Sequence, residues 1–282
     1  MKDFFFDVPR TTVMTTEGRV DLPMFFYDMS ARFLNYFVDH ERASRLLDGT
    51  GLETCRFFNG KAMVNLAFMQ YREVSIGGYD EVFITIMCYP KAFPKPRLPM
   101  TNMLKTNEAG WTIGGYVLEM PVTIPQARAA GREIWGYPKF ETKIPNQLSG
   151  RRFEFGVLDP ETGESLLNVS GVETPGIKMP GMDMVSFGNH DGKILRTATE
   201  IDGLMKNCMA KDLRIEVSKS DHRLARNVRA LGLETTKPWG MMSGDAIRSK
   251  LNPGVPVADW ETPPMPYQVE GEKWAEPLAE AK

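Results

Sequence analysis

Lys139 closes the stretch Gly131-Arg132-Glu133-Ile134-Trp135-Gly136-Tyr137-Pro138-Lys139, and Phe140 follows it directly. A primary amine attacks a carbonyl carbon only when unprotonated, and a free lysine near pKa ~10.4 is almost wholly charged at neutral pH. Burial disfavours the charged form and lowers that pKa, by roughly 3–5 units when it is complete. Trp135, Tyr137 and Phe140 flank the amine and can supply the desolvation. The alternative is a lysine with a packed stem and a hydrated head, the usual state of this side chain. The residues alone leave both readings open.

The elements around Lys139 decide how it is presented. Thr123-Ile124-Pro125 opens a helix, with Pro125 in the first turn, where a missing N–H costs nothing. Gln126 to Arg132 are mostly good helix formers, and Gly136 marks the end. Pro138 pushes Tyr137 out of the helical region. Lys139 therefore emerges on extended chain, at the start of a strand from Lys139 to Ile144.

The order Gly-Arg-Glu-x-x-Gly-Tyr-Pro-Lys resembles the signature of the acetoacetate decarboxylase family. The resemblance implies that Lys139 forms a Schiff base with a keto substrate. It also implies a pocket glutamate in a segment like Gly-x-Tyr-x-Glu, which Gly77-Gly78-Tyr79-Asp80-Glu81 matches. Glu81 is then the candidate acid, base or polar orienter; on its own it reads as a hairpin carboxylate in water. At three places this sequence departs from the family pattern. The second lysine that would follow the first is Phe140, so activation by a neighbouring cation is missing. A second pocket glutamate falls on Asn65-Leu66-Ala67, without an acid. The arginine that contacts the substrate carboxylate has no clean match: ungapped comparison puts Met29 there, beside Tyr27 and with Arg32 nearby. The candidate substrate contacts are therefore Tyr27, Arg32, Trp135, Tyr137 and Phe140. Arg132 and Glu133 are expected to form an ion-paired helix end that positions the lysine loop.

The rest of the chain reads as housing. Its 282 residues are 42% hydrophobic and 25% charged, ordinary values for a globular protein with a sizeable core. The net charge of −2 argues against a general nucleic-acid binder. No apolar run approaches the roughly 20 residues that span a bilayer, and the start lacks a signal-peptide core, so the cytoplasm is expected. Three cysteines without CxxC spacing indicate neither a disulfide framework nor a zinc site. His40, His190 and His222 are scattered, and no GxSxG, Walker or dinucleotide fingerprint is present. No cofactor or metal is expected.

Residues 1–24 read as an irregular lead-in, 25–250 as the main domain and 251–282, with six prolines, as an extended arm. Phe33 to Val38 has strand character and His40 to Leu47 reads as a helix capped by Asp39, although one helix from Ser30 to Leu47 also fits the spacing. Ala62 to Tyr71, Glu81 to Tyr89 and Trp111 to Met120 read as strands, and Arg152 to Val169 as a hairpin. The stretch 174–192, rich in methionine and glycine, reads as a pocket-lining loop. Asp212 to Val217 is a further strand, and Asp221 to Leu231 a helix capped by Asp221. On that helix Arg223, Arg226 and Arg229 make a basic stripe, read as a solvated face or an anion contact. Tyr267 in the arm is a further proton-donor candidate.

Many short strands with few helices point to an α+β, β-rich single domain, and the resemblance implies an antiparallel β-barrel with peripheral helices. It further implies a cofactor-independent lyase acting on a small keto acid or ketone, in a homo-oligomer of four or more subunits. Decarboxylation of a β-keto acid through an iminium on Lys139 is the first reading. An aldolase-dehydratase using the same lysine is the second. A noncatalytic barrel that binds a small apolar ligand is the third.

Overall fold

A computed structural model describes residues 4–57, 60–103 and 110–261. Its centre is a closed ring of seven strands. Met24–Val38 pairs antiparallel with Ala62–Val74, then come Tyr79–Pro90 and Gly114–Val122. Gly114–Val122 pairs parallel with Met184–His190, which turns back into Lys193–Asp202. Gly240–Leu251 bridges Lys193–Asp202 to Met24–Val38 and closes the ring. The barrel is thus antiparallel save for one seam.

Strand residues alternate between two faces, and here both faces are buried. Phe33, Ala67 and Phe83 face the barrel interior, while Leu34, Leu66, Val82 and Ile84 face the opposite way into a second core. Burial on both faces is why these segments read as nearly continuous apolar runs. The second core is covered by a four-stranded sheet made of Asn146–Ser149, Arg152–Leu158, Ser165–Glu173 and Ala210–Val217. Phe155 of that sheet stacks on Phe68 of the barrel with ring centroids 5.1 Å apart. The helix Arg223–Leu231 buries Leu224, Ala225, Val228 and Leu231 against the same core.

The β-rich α+β fold with a barrel is the one expected, and Asp39 does cap the helix His40–Arg45. Other expectations change. Part of the lead-in is a hairpin, Thr11–Thr15 with Gly18–Leu22. The stretch 174–192 is mostly strand, Ile177–Pro180 and Met184–His190, the second paired on both sides within the barrel. The cap of the last helix is His222, whose Nδ1 accepts from the Leu224 N–H, and not Asp221. Half-burial of that imidazole holds its pKa below the usual histidine range. Gly240–Leu251 shows no clear period in the sequence, yet it closes the barrel. Just after it, Val255–Asp259 is extended and pairs antiparallel with Lys193–Asp202 of the same chain. Tyr267 lies outside the described residues. The basic stripe is not a free face: Arg223 donates to Glu119 at 2.8 Å and Arg229 to the Ser220 carbonyl at 2.9 Å, leaving Arg226 exposed. Among the described residues no helix is long and apolar enough to cross a membrane.

Candidate active site

The helix that delivers the lysine runs Pro125–Trp135 and buries Ala127, Ala129, Ala130 and Trp135. It ends at Gly136, whose φ of 64° is the left-handed conformation that glycine adopts without a Cβ penalty. A Cβ there would also lie 1.7 Å from the Asn189 carbonyl oxygen, so glycine is required twice over. Tyr137 N donates back to the Gly131 carbonyl at 2.9 Å, and the chain then extends into the short strand Lys139–Glu141. That strand lies parallel to Gly114–Val122, with Lys139 opposite Met120. Arg132 Nε donates to the Lys139 carbonyl at 2.5 Å and ties the strand back to its helix.

The Lys139 side chain crosses directly over Gly131. A Cβ on Gly131 would sit 2.3 Å from Lys139 Cδ and 2.6 Å from Cε. This glycine is a seat for the lysine stem, a role the sequence motif alone does not disclose.

Lys139 is 4% exposed, and its Nζ donates to Glu81 Oε2 at 2.6 Å. Glu81, equally buried, accepts at Oε1 from the Tyr71 hydroxyl at 3.2 Å. The Tyr79 ring lies 5.5 Å from Lys139 Nζ and 4.6 Å from the Tyr71 ring. Burial, and then the nearby Glu81 carboxylate, push the Tyr71 and Tyr79 phenols well above their ordinary pKa, so both stay protonated donors. Tyr137 bonds Ser186 Oγ at 2.6 Å, and burial pushes its phenol up to about 12.

These groups face a cavity of about 580 Å³ inside the barrel. Twelve methionines line it, with Phe26, Phe33, Phe83, Trp111 and Trp239 among the aromatics. Among the described lining residues Lys139 is the sole basic side chain. A buried ion pair adds little net stability, because desolvating both partners costs about what their attraction returns. Set in an apolar pocket, such a pair is a candidate functional site. Transfer of one proton from Nζ to Glu81 across the 2.6 Å contact would yield a free amine and a neutral carboxyl, leaving neither partner charged.

Of the residues singled out from sequence, Lys139, Glu81 and Tyr137 meet in this cavity. Trp135 stacks behind Tyr137 at 6.2 Å and donates its Nε1–H to the Asn252 carbonyl, away from the cavity lining. Phe140, next along the strand, points to the opposite face, where its ring meets His222 at 5.2 Å in the second core. Tyr27 packs on Phe6 and Phe25 outside the barrel lining. Arg32 is also outside: its Nε pairs with Glu173 and its Nη2 with Asp245, both at 2.6 Å. Its even place on an alternating strand turns it away from the interior. Arg132 donates to the Lys139 carbonyl. Glu133 instead accepts from Thr16, at 2.9 Å from its N–H and 2.5 Å from its hydroxyl, and pins the N-terminal hairpin.

Tyr71 and Tyr79, absent from the candidates that the sequence offers, also line the cavity. Tyr79 shares the face of Glu81 by strand alternation, a signal present in Gly-x-Tyr-x-Glu. Tyr71 enters through the register that sets it opposite Tyr79, which no single segment encodes.

The sequence profile of the acetoacetate decarboxylase family matches residues 8–174, more than half of the chain. Solved structures with the same fold include the acetoacetate decarboxylase of Legionella pneumophila, at 16% identity and a TM-score of 0.60, covering 91% of this chain and 94% of that one. An acetoacetate decarboxylase-like enzyme from Sphingomonas wittichii aligns at 11% identity and a TM-score of 0.58, covering 85% and 95%. The enduracididine biosynthesis enzyme MppR, complexed with pyruvate, aligns at 14% identity and a TM-score of 0.55, covering 84% and 90%. No curated protein sequence matches the chain. A matching family profile that spans both Glu81 and Lys139, on a barrel of the same fold, leads to one assignment: this chain belongs to the acetoacetate decarboxylase family.

Proposed function

We propose that this protein is a lyase that binds a keto substrate as a Schiff base on Lys139 and breaks the neighbouring carbon–carbon bond, releasing carbon dioxide from a β-keto acid. The observation that carries this reading is the Lys139–Glu81 pair, closed at 2.6 Å inside an apolar cavity. Free Lys139 attacks the ketone carbon, and the oxygen leaves as water to give an iminium. Electrons of the bond to the β-carboxylate flow into the iminium, giving an enamine and carbon dioxide. The enamine carbon then takes a proton, with Glu81 and the protonated Tyr71 as the donors in reach. Water attacks the resulting iminium and releases the ketone. An apolar wall favours the bond-breaking step, because a carboxylate that is poorly solvated there becomes neutral carbon dioxide.

One observation favours a second reading, in which the same enamine adds to an aldehyde and the adduct loses water. Among the described lining residues there is no guanidinium to hold a substrate carboxylate. MppR, of similar fold, has been seen with the condensation product of pyruvate and imidazole 4-carboxaldehyde. Carbon dioxide release from a panel of β-keto acids separates the two. Release by the native chain, falling to background in Lys139→Ala, supports decarboxylation. No release, together with formation of an unsaturated condensation product from a ketone and an aldehyde, assigns the second reading.

A further inference from the structure

The cavity holds a second polar feature far from the lysine. Asn35, Asn65 and Thr85 lie side by side on three adjacent strands, in the register Asn35 to Asn65 to Thr85, and all three line the cavity. Asn65 Nδ2 donates to Asn35 Oδ1 at 2.5 Å, and Thr85 Oγ1 donates to Asn65 Oδ1 at 3.2 Å. The chain of bonds runs one way and ends on the Asn35 amide, whose Nδ2 donors have no hydrogen-bond partner among the described residues. Here the unspent N–H groups open on the cavity.

The layer between this ladder and the lysine is apolar: Phe33, Ala67 and Phe83 occupy the intervening register, and Phe33 meets Phe83 edge to face at 5.8 Å. Glu81 and Thr85 are four residues apart on one strand, about 13 Å at the usual rise. That spacing matches an extended chain of roughly ten single bonds.

Resting on the Schiff-base reading for the near end of the cavity, we infer that the substrate is a ketone or keto acid with a long apolar body whose far end carries a neutral oxygen, bound by the Asn35–Asn65–Thr85 ladder. The donors are uncharged amides, so a hydroxyl or carbonyl oxygen suits them and a carboxylate, left without a counter-charge, does not. The methionine wall adapts to the body of such a chain without dictating its shape.

The test is calorimetric binding of undecan-2-one and of its counterpart with a terminal hydroxyl, to the native chain and to Asn35→Leu, Asn35→Asp and Lys139→Ala. The native chain is expected to bind the hydroxylated ketone roughly three- to tenfold more tightly, the worth of one net hydrogen bond. Asn35→Leu and Asn35→Asp should each remove most of that preference, and Asn35→Asp, nearly the same in shape but without the amide N–H donors, serves where Asn35→Leu does not fold. Lys139→Ala should keep the preference, because the far end carries it. No preference in the native chain, or a preference that survives in Asn35→Leu and Asn35→Asp, overturns the assignment. Borohydride trapping of the same ketones reads the near end alone, so loss of trapping with the preference kept sinks the Schiff-base reading and leaves the ladder.

Discussion

Gly131→Ala is expected to slow turnover by about 100-fold, with the strain it puts on Lys139 only partly offset by a gain in helix propensity. The new Cβ would fall 2.3 Å from Lys139 Cδ and 2.9 Å from Cγ, a distance no side chain tolerates, so the lysine stem must move. Moving it breaks the 2.6 Å contact with Glu81 and shifts the amine by about 1 Å, a misplacement that costs on the order of 10²-fold in rate. The backbone pulls the other way. Gly131 is inside the helix Pro125–Trp135, where alanine is favoured by roughly 0.5–1 kcal/mol. Melting temperature and turnover, measured together, separate these effects. Unchanged turnover would mean that Lys139 is not held by this seat.

The second large effect is on stability. Glu173, 2% exposed, receives Arg32 at 2.6 Å, Lys206, and the Ser243 hydroxyl at 3.0 Å, and so joins the four-stranded sheet to the barrel. Glu173→Ala strands Arg32, itself 1% exposed, with half its charge partners. Breaking a buried pair from one side costs about 3–5 kcal/mol, a large share of the roughly 5–15 kcal/mol that holds a domain together. A fall of about ten degrees in melting temperature is expected. Below that melting point the Michaelis constant should stay as in the native chain, because Arg32 is outside the cavity lining. A changed Michaelis constant would return Arg32 to the substrate.

The fate of Arg32 shows where sequence stops. Its charge and its nearness to the expected arginine position made it a candidate clamp, but strand parity after the irregular pairing near Asp28 sends it outward. Parity likewise removes Phe140 from the cavity one residue after Lys139. The local signals were strong where one segment contains the whole cause: Pro125 to open the helix, Gly136 to close it, and Pro138 to extend the chain at Lys139. Glu81 was legible through its own short motif. What could not be read lies in pairings between distant segments. Tyr71 reaches Glu81 because Ala62–Val74 and Tyr79–Pro90 share a register, and the Asn35–Asn65–Thr85 ladder exists only once three strands align. Closure by Gly240–Leu251, and the packing of its methionines on the cavity, follow from tertiary contacts that carry no periodic mark in the sequence.

Lys139 is proposed as the amine that bonds to substrate. Sodium borohydride added with a ketone, followed by peptide mapping, tests it without knowledge of the natural substrate. A reduced secondary amine is expected on Lys139, absent from Lys139→Ala, and weakened in Gly131→Ala. An adduct on a different lysine, or no adduct while Lys139→Ala turns over normally, would contradict it.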